Sequence, residues 1–79
     1  MFGKRGEGIM REFNITKGDF ITLQDLLKVE NLVSSGGEAK YVILDGLVKV
    51  NGEVDTRRQK KLHDGDVVEF GKEVIRVRL

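Results

Sequence analysis

The chain has 79 residues, carries 14 basic and 13 acidic side chains for a formal net charge of +1, and contains no cysteine. A domain of this length buries only about 60–65% of the surface its unfolded chain exposes, which leaves no room for a second domain or a large active-site cleft. The absence of cysteine excludes a disulfide framework, a thiolate zinc site and a cysteine nucleophile, and the near-balanced charge means that any affinity for nucleic acid must come from how charge is arranged. No apolar run approaches the ~20 residues of a membrane span, and the opening MFGKRGEGIM lacks a signal-peptide core, so a soluble, cytoplasmic protein is expected.

Residues 1–9 are polar and include Gly3, Gly6 and Gly8, which reads as a flexible N-terminal arm ahead of a single domain over 10–79. REFNI alternates Phe13 and Ile15 with polar neighbours, a short strand, and TKGD supplies a turn. In TLQDLLKVEN, Thr22 is placed to cap a helix, Leu23, Leu26 and Leu27 fall at helical spacing, and Asn31 suits a left-handed end. A second helix is signalled by Ser35 and Glu38 as a capping box, an apolar stripe of Ala39, Val42 and Ile43, and a closing Gly46.

After Gly46 the hydrophobic period changes to two. In LVKVNGEVD a two-residue Asn51-Gly52 turn sets Val48 opposite Asp55, whereas a three-residue loop with Gly52 as a bulge pairs Val48 with Val54 and Lys49 with Glu53. Matching apolar faces favours the bulge. HDGD then turns the chain into VVEF, and GKE leads to VIRVRL, a final antiparallel pair. The expected class is α+β: a short N-terminal strand, a helix pair, then a small antiparallel sheet with hairpins.

The second helix opens on Gly36 and Gly37, two poor helix formers that cost roughly 0.5–1 kcal/mol each relative to alanine. They do not form a nucleotide phosphate loop, because the G-x-x-x-x-G-K-[ST] spacing is missing and Tyr41 follows Lys40 where a hydroxyl on magnesium is needed. Bare amides at residues 36–38, at the positive end of the helix dipole and capped by Ser35, suit a nucleic-acid phosphate, and Lys40 lies on the same helical face as Gly37.

A second basic element, TRRQKKLH, sets Arg57, Arg58, Lys60 and Lys61 together without an intervening acid; it reads either as a solvated loop or, joined by Lys49 on the hairpin, as a basic edge facing the side of Lys40. His63 is alone and fixes neither a metal nor a base. Asp64 and Asp66 flank Gly65 as turn residues. Tyr41 is expected to pack beside the apolar stripe rather than to stack on a base. Nothing here calls for a metal or cofactor.

The run SGGEAKYVILDGLVKVNG resembles the RNA-binding domain named after ribosomal protein S-four, whose core reads S-R-x-x-A-[KR], a few apolar positions, then G-x-V-x-V-N-G. The matching positions are Ser35, Ala39 and Lys40, then Gly46, Val48, Val50, Asn51 and Gly52, extended by Leu23 and Leu26 before them and DGDVVEF after them, so that residues 20–72 are covered. SGGxAK with TRR and GDVVE looks most like the small stand-alone bacterial proteins of the YaaA type. The resemblance implies the alpha-L RNA-binding motif and a non-enzymatic module for structured RNA, commonly ribosomal RNA or a ribosome assembly intermediate, bound through the helix pair and the adjoining hairpin. Two departures each remove a phosphate contact: the family's arginine after the serine is Gly36, and an arginine often found at the start of the first helix is Thr22. The RNA-binding candidates are therefore Ser35, Gly36, Gly37, Lys40, Lys49, Asn51, Arg57, Arg58, Lys60 and Lys61.

A ubiquitin-like or sulfur-carrier-like protein shares the NG hairpin, the TLxDLL helix start and the L-x-D-G-D-x-V-E turn. Its chemistry needs a C-terminal Gly-Gly, and here the chain ends VIRVRL. On that alternative the domain is a protein-interaction module, which requires an exposed apolar patch where the basic positions predict the opposite.

Overall fold

Strand β1 (Met10–Asn14) pairs in parallel with β7 (Glu73–Arg78), setting Phe13 opposite Val77. The computed structural model describes residues 10–79, and the expected N-terminal arm, residues 1–9, lies outside the described residues. Apart from β1, the strands of their sheet pair antiparallel with one another, as expected, and the parallel pairing of β1 with β7 makes the whole sheet mixed.

A two-residue strand, β2 (Ile21–Thr22), pairs antiparallel with β5 (Lys61–Leu62), so the end of the basic run is strand rather than loop. Helix α1 (Leu23–Val29) starts where expected: Thr22 Oγ1 accepts from the Asp25 amide at 3.2 Å, and Leu23, Leu26 and Leu27 are buried. Asn31 ends it at φ 59°, in the left-handed region that asparagine tolerates.

Helix α2 (Gly36–Leu44) is capped by Ser35, whose Oγ accepts from the Glu38 amide at 3.2 Å. The return arm of the capping box lands one residue early, on Ser34, whose amide and hydroxyl donate to Glu38 Oε1 at 2.7 and 2.8 Å. Ser34 offers two donors to that oxygen where the Ser35 amide offers one. These bonds, the backbone one foremost, hold the Glu38 carboxyl below its ordinary pKa.

The hairpin departs from expectation. β3 (Val48–Val50) and β4 (Glu53–Val54) pair Lys49 with Val54 and Val50 with Glu53 around a two-residue turn, so the expected bulge does not form. Asn51 and Gly52 both take positive φ, 52° and 88°, the primed turn whose twist matches that of the flanking strands. Local turn geometry prevails over burial of one valine: Val54 is 54% exposed and lies over Gly46, where an added Cβ would meet Val54 Cγ1 at 3.7 Å.

With β6 (Val67–Phe70) the five-stranded sheet runs β1-β7-β6-β3-β4. Val48, Val50, Val68, Ile75 and Val77 form a core with Leu26, Leu27, Ala39, Ile43 and Leu62, and each large side chain buried there is worth about 1.5–3 kcal/mol. The other sheet face carries a row, Val54, Lys49, Glu69, Val74 and Met10, that crosses all five strands. No helix among the described residues is long and apolar enough to cross a membrane.

Candidate nucleic-acid interface

The two helices treat their N-terminal amides differently. At α1 the carbonyls of Lys60 and Arg58 accept from Leu23 and Gln24 at 2.9 and 3.1 Å, which satisfies two orphan donors and fastens the basic run to the helix. At α2, Ser35 takes the Glu38 amide, and the Gly36 and Gly37 amides have no acceptor among the described residues. Those two donors stay at the positive end of a nine-residue helix, on residues that carry no side chain of their own.

Gly36 faces α1. A Cβ built there would meet Gln24 Nε2 at 3.5 Å and Lys28 Nζ at 4.0 Å. Lys28 is thus a cation beside Gly36, and the motif around Ser35 gives no sign of it because Lys28 belongs to the other helix. The available signal is that Gln24 and Lys28 sit four apart on one polar face and that a short link folds α2 back against them. Gln24 Oε1 is buried there without a hydrogen-bond partner among the described residues.

Gly37 turns outward. Together with Lys40, Tyr41, Leu44 and Asp45 it lines a groove of about 320 Å³, so the expected neighbourhood of Gly37 and Lys40 is present. Tyr41 corrects an expectation: it is 65% exposed rather than packed. At 100° per residue, Tyr41 points away from the stripe of Ala39, Val42 and Ile43, on the face it shares with Gly37, Lys40 and Leu44.

The basic run is matched from within the fold more than its sequence suggests. Arg57 forks onto Asp55 with Nε–Oδ1 at 3.0 Å and Nη2–Oδ2 at 2.7 Å. That hydrogen bonding raises the Arg57 pKa and lowers the Asp55 pKa. Lys60 is half-buried and acts on both Asp55 and Asp66, helping to hold their carboxyls ionised. Lys61 Nζ stands 5.0 Å from the Phe20 ring centroid, and His63, exposed, tilts toward the same ring at 6.2 Å. Arg58 is half-buried, with no ion pair among the described residues.

Lys49 projects from the sheet face away from the helices, in register with Glu69, and so is not brought to the helix N-termini. Asn51 has both ends of its amide engaged: Nδ2 donates to Asp66 Oδ1 at 3.1 Å and Oδ1 accepts from the Val67 amide at 2.9 Å. The structure therefore gathers Ser35, Gly36, Gly37 and Lys40 with Lys28, and fixes the backbone of Arg58 and Lys60 at α1.

Residues 13–78 match the S4 domain family. The chain belongs to that family. A relative in Escherichia coli (strain K12), named "Putative RNA-binding protein YbcJ", is 40% identical over 68 residues, 86% of this chain and 97% of the relative. Another in Bacillus subtilis (strain 168), "Probable ribosome maturation protein RlbA", is 47% identical over 52 residues, 66% of this chain and 73% of the relative. The solution structure of E. coli YbcJ superposes with a TM-score of 0.71 at 34% identity, with all of both chains covered, and is described as revealing an alpha-L motif involved in RNA binding. This S4 domain shares that architecture of a helix pair on a small sheet.

Proposed function

We propose that this S4 domain is a non-enzymatic, cytoplasmic RNA-binding module that docks on the phosphates of a folded RNA, ribosomal RNA or a ribosome assembly intermediate. The observation that carries this reading is the pair of acceptor-free amides at Gly36 and Gly37, with Lys28 beside the first glycine and Lys40 in the groove of the second. Amides at a helix N-terminus donate to phosphate oxygens, and flanking ammonium groups supply the opposite charge. The names of the E. coli and B. subtilis relatives support RNA and ribosome maturation as the setting.

On this reading Ser35 holds the helix start open by taking the Glu38 amide, and Arg58 with Lys60 extends the positive surface past α1. Asn51 positions the hairpin. Such contacts read the shape of the RNA backbone more than its sequence. The test is a titration of RNA against protein at several salt concentrations: with ~4–6 phosphates engaged, the logarithm of affinity falls with the logarithm of salt at about 0.7–0.9 per contact. Salt-independent affinity, or crosslinking in cells that recovers protein partners without RNA, sinks the reading.

A further inference from the structure

Tyr41 has no part in phosphate docking, yet it stands 65% exposed on the outward face of α2 next to Leu44, itself 54% exposed. Both line the groove with Gly37, Lys40 and Asp45. A volume of about 320 Å³ falls at the lower end of the roughly 300–1,000 Å³ typical of small-ligand clefts. Its lining combines an aromatic ring, an aliphatic side chain, the ammonium of Lys40 and, five positions further along α2 at its C-cap, the carboxylate of Asp45.

We propose that this groove takes one unpaired nucleobase of the bound RNA, stacked on Tyr41 with its own phosphate at Lys40; the proposal rests on the RNA reading above and names what that RNA must present. Three features favour a base over a further phosphate or a protein side. Asp45 disfavours a second phosphate beside it and can accept from the amino or imino group of a base. Lys40 is adjacent to Tyr41 in the chain and shares its outward face, and a nucleotide is the ligand that offers a flat ring and an anion that close together. A stable protein interface covers about 800 Å² per partner with an apolar centre, whereas the groove has one tyrosine and one leucine in company with a lysine and an aspartate. The glycine at position 37 leaves the approach from the bare amides to the ring unobstructed.

The sequence holds one tyrosine and no tryptophan, so intrinsic fluorescence reports Tyr41 alone. The probes are two RNA hairpins of identical stem, one with a single-nucleotide bulge and one fully paired in the stem and closed by a short, stable loop. Wild-type protein is expected to bind the bulged hairpin more tightly, with quenching of the tyrosine emission. Tyr41→Phe retains that preference, while Tyr41→Leu, which keeps apolar bulk and loses the ring, and Tyr41→Ala weaken binding of the bulged hairpin by about 5- to 150-fold, the range of one base stacked on an aromatic side chain. The fully paired hairpin binds all four proteins alike. If Tyr41→Leu binds the bulged hairpin as tightly as Tyr41→Phe, or wild type does not distinguish the hairpins, the stacking proposal is overturned while the phosphate reading stands. If wild type binds neither hairpin, the RNA reading itself falls.

Discussion

Asn51 and Asp66, fifteen positions apart, are joined by a 3.1 Å hydrogen bond that ties the β3–β4 turn to the head of β6. The Asn51 amide donates to Val67 O at 2.7 Å, and Asp66 Oδ2 accepts from the His63 amide at 2.8 Å, so one carboxylate and one carboxamide fasten two turns together. Replacing Asp66 with alanine removes the acceptor shared by the exposed Asn51 and His63 donors, which water can then satisfy, and a loss of about 0.5–1.5 kcal/mol in urea unfolding is expected. Asn51→Ala adds the strain of a left-handed position, and the double variant should show a coupling of about 0.5–3 kcal/mol. Strict additivity of the two losses would mean that the bond contributes nothing.

The same carboxylate sets an acid limb. Burial alone raises the Asp66 pKa, but hydrogen bonds from the His63 amide and the Asn51 side chain, with attraction to Lys60 and His63, outweigh it, and the net shift is downward. A folded-state pKa below the unfolded value of about 3.9 contributes stability that is complete above that value and is lost as pH falls through the lowered folded pKa. Asp66→Asn should therefore lie furthest below wild type near neutral pH, with the gap closing below about pH 4. A gap that stays constant from neutral to acid pH rules this out.

Much of the fold was legible because local signals and tertiary packing agree. Thr22, Asn31, Ser35 and Gly46 stand at helix boundaries, and every apolar position of the two helical stripes is buried. The hairpin register was not, since the apolar match of Val48 with Val54 competed with the preference of Asn51 and Gly52 for a primed turn, and the turn prevailed. The parallel pairing of β1 with β7 joins residues at opposite ends of the chain, which no local period encodes. At the candidate site, Gly37 and Lys40 could be placed from helical spacing alone. Lys28 and the Arg57–Asp55 fork could not, because each depends on a fold-back or a turn geometry that spacing does not specify.

Arg57 and Arg58 should differ in their effect on RNA. The Arg57 guanidinium is already forked onto Asp55, whereas Arg58 has no such partner among the described residues. Arg58→Ala is expected to reduce the salt slope by about 0.7–0.9, a full phosphate, and Arg57→Ala by less. Thermal unfolding should move little for Arg57→Ala, since an exposed ion pair contributes little to stability. Equal slopes for the two variants would place Arg57 in direct contact with RNA despite its fork.

Lys28 and Gly36 offer a rescue experiment. The family's arginine is absent at Gly36, and Lys28 Nζ lies 4.0 Å from where the Cβ of that residue would stand, so a cation reaches the same spot from the other helix. Lys28→Ala should weaken RNA binding and lower the salt slope by about one phosphate's share. Adding Gly36→Arg to that variant should restore both, because residue 36 has ordinary backbone angles and an added Cβ makes only ordinary contacts. Failure of the arginine to restore affinity, with folding intact by circular dichroism, would remove Lys28 from the site.

Gly37 separates folding from function most cleanly. Its added Cβ would meet nothing closer than Ser35 Oγ at 3.8 Å, its φ is not positive, and it lies in the first turn of α2, so nothing in the folded protein requires glycine there. Gly37→Ala should stabilise the domain by about 0.4–1 kcal/mol, through higher helix propensity and a less flexible unfolded chain. The same methyl group stands in the groove at the open amides, on the path of any phosphate that approaches them. RNA affinity should therefore fall while the melting temperature rises, and Gly36→Ala, whose methyl points at α1, should leave affinity nearly unchanged. The decisive pair of measurements is thermal unfolding and RNA titration on the two alanine variants. If Gly37→Ala binds RNA as tightly as wild type, the bare backbone at this helix start is not where the RNA makes contact.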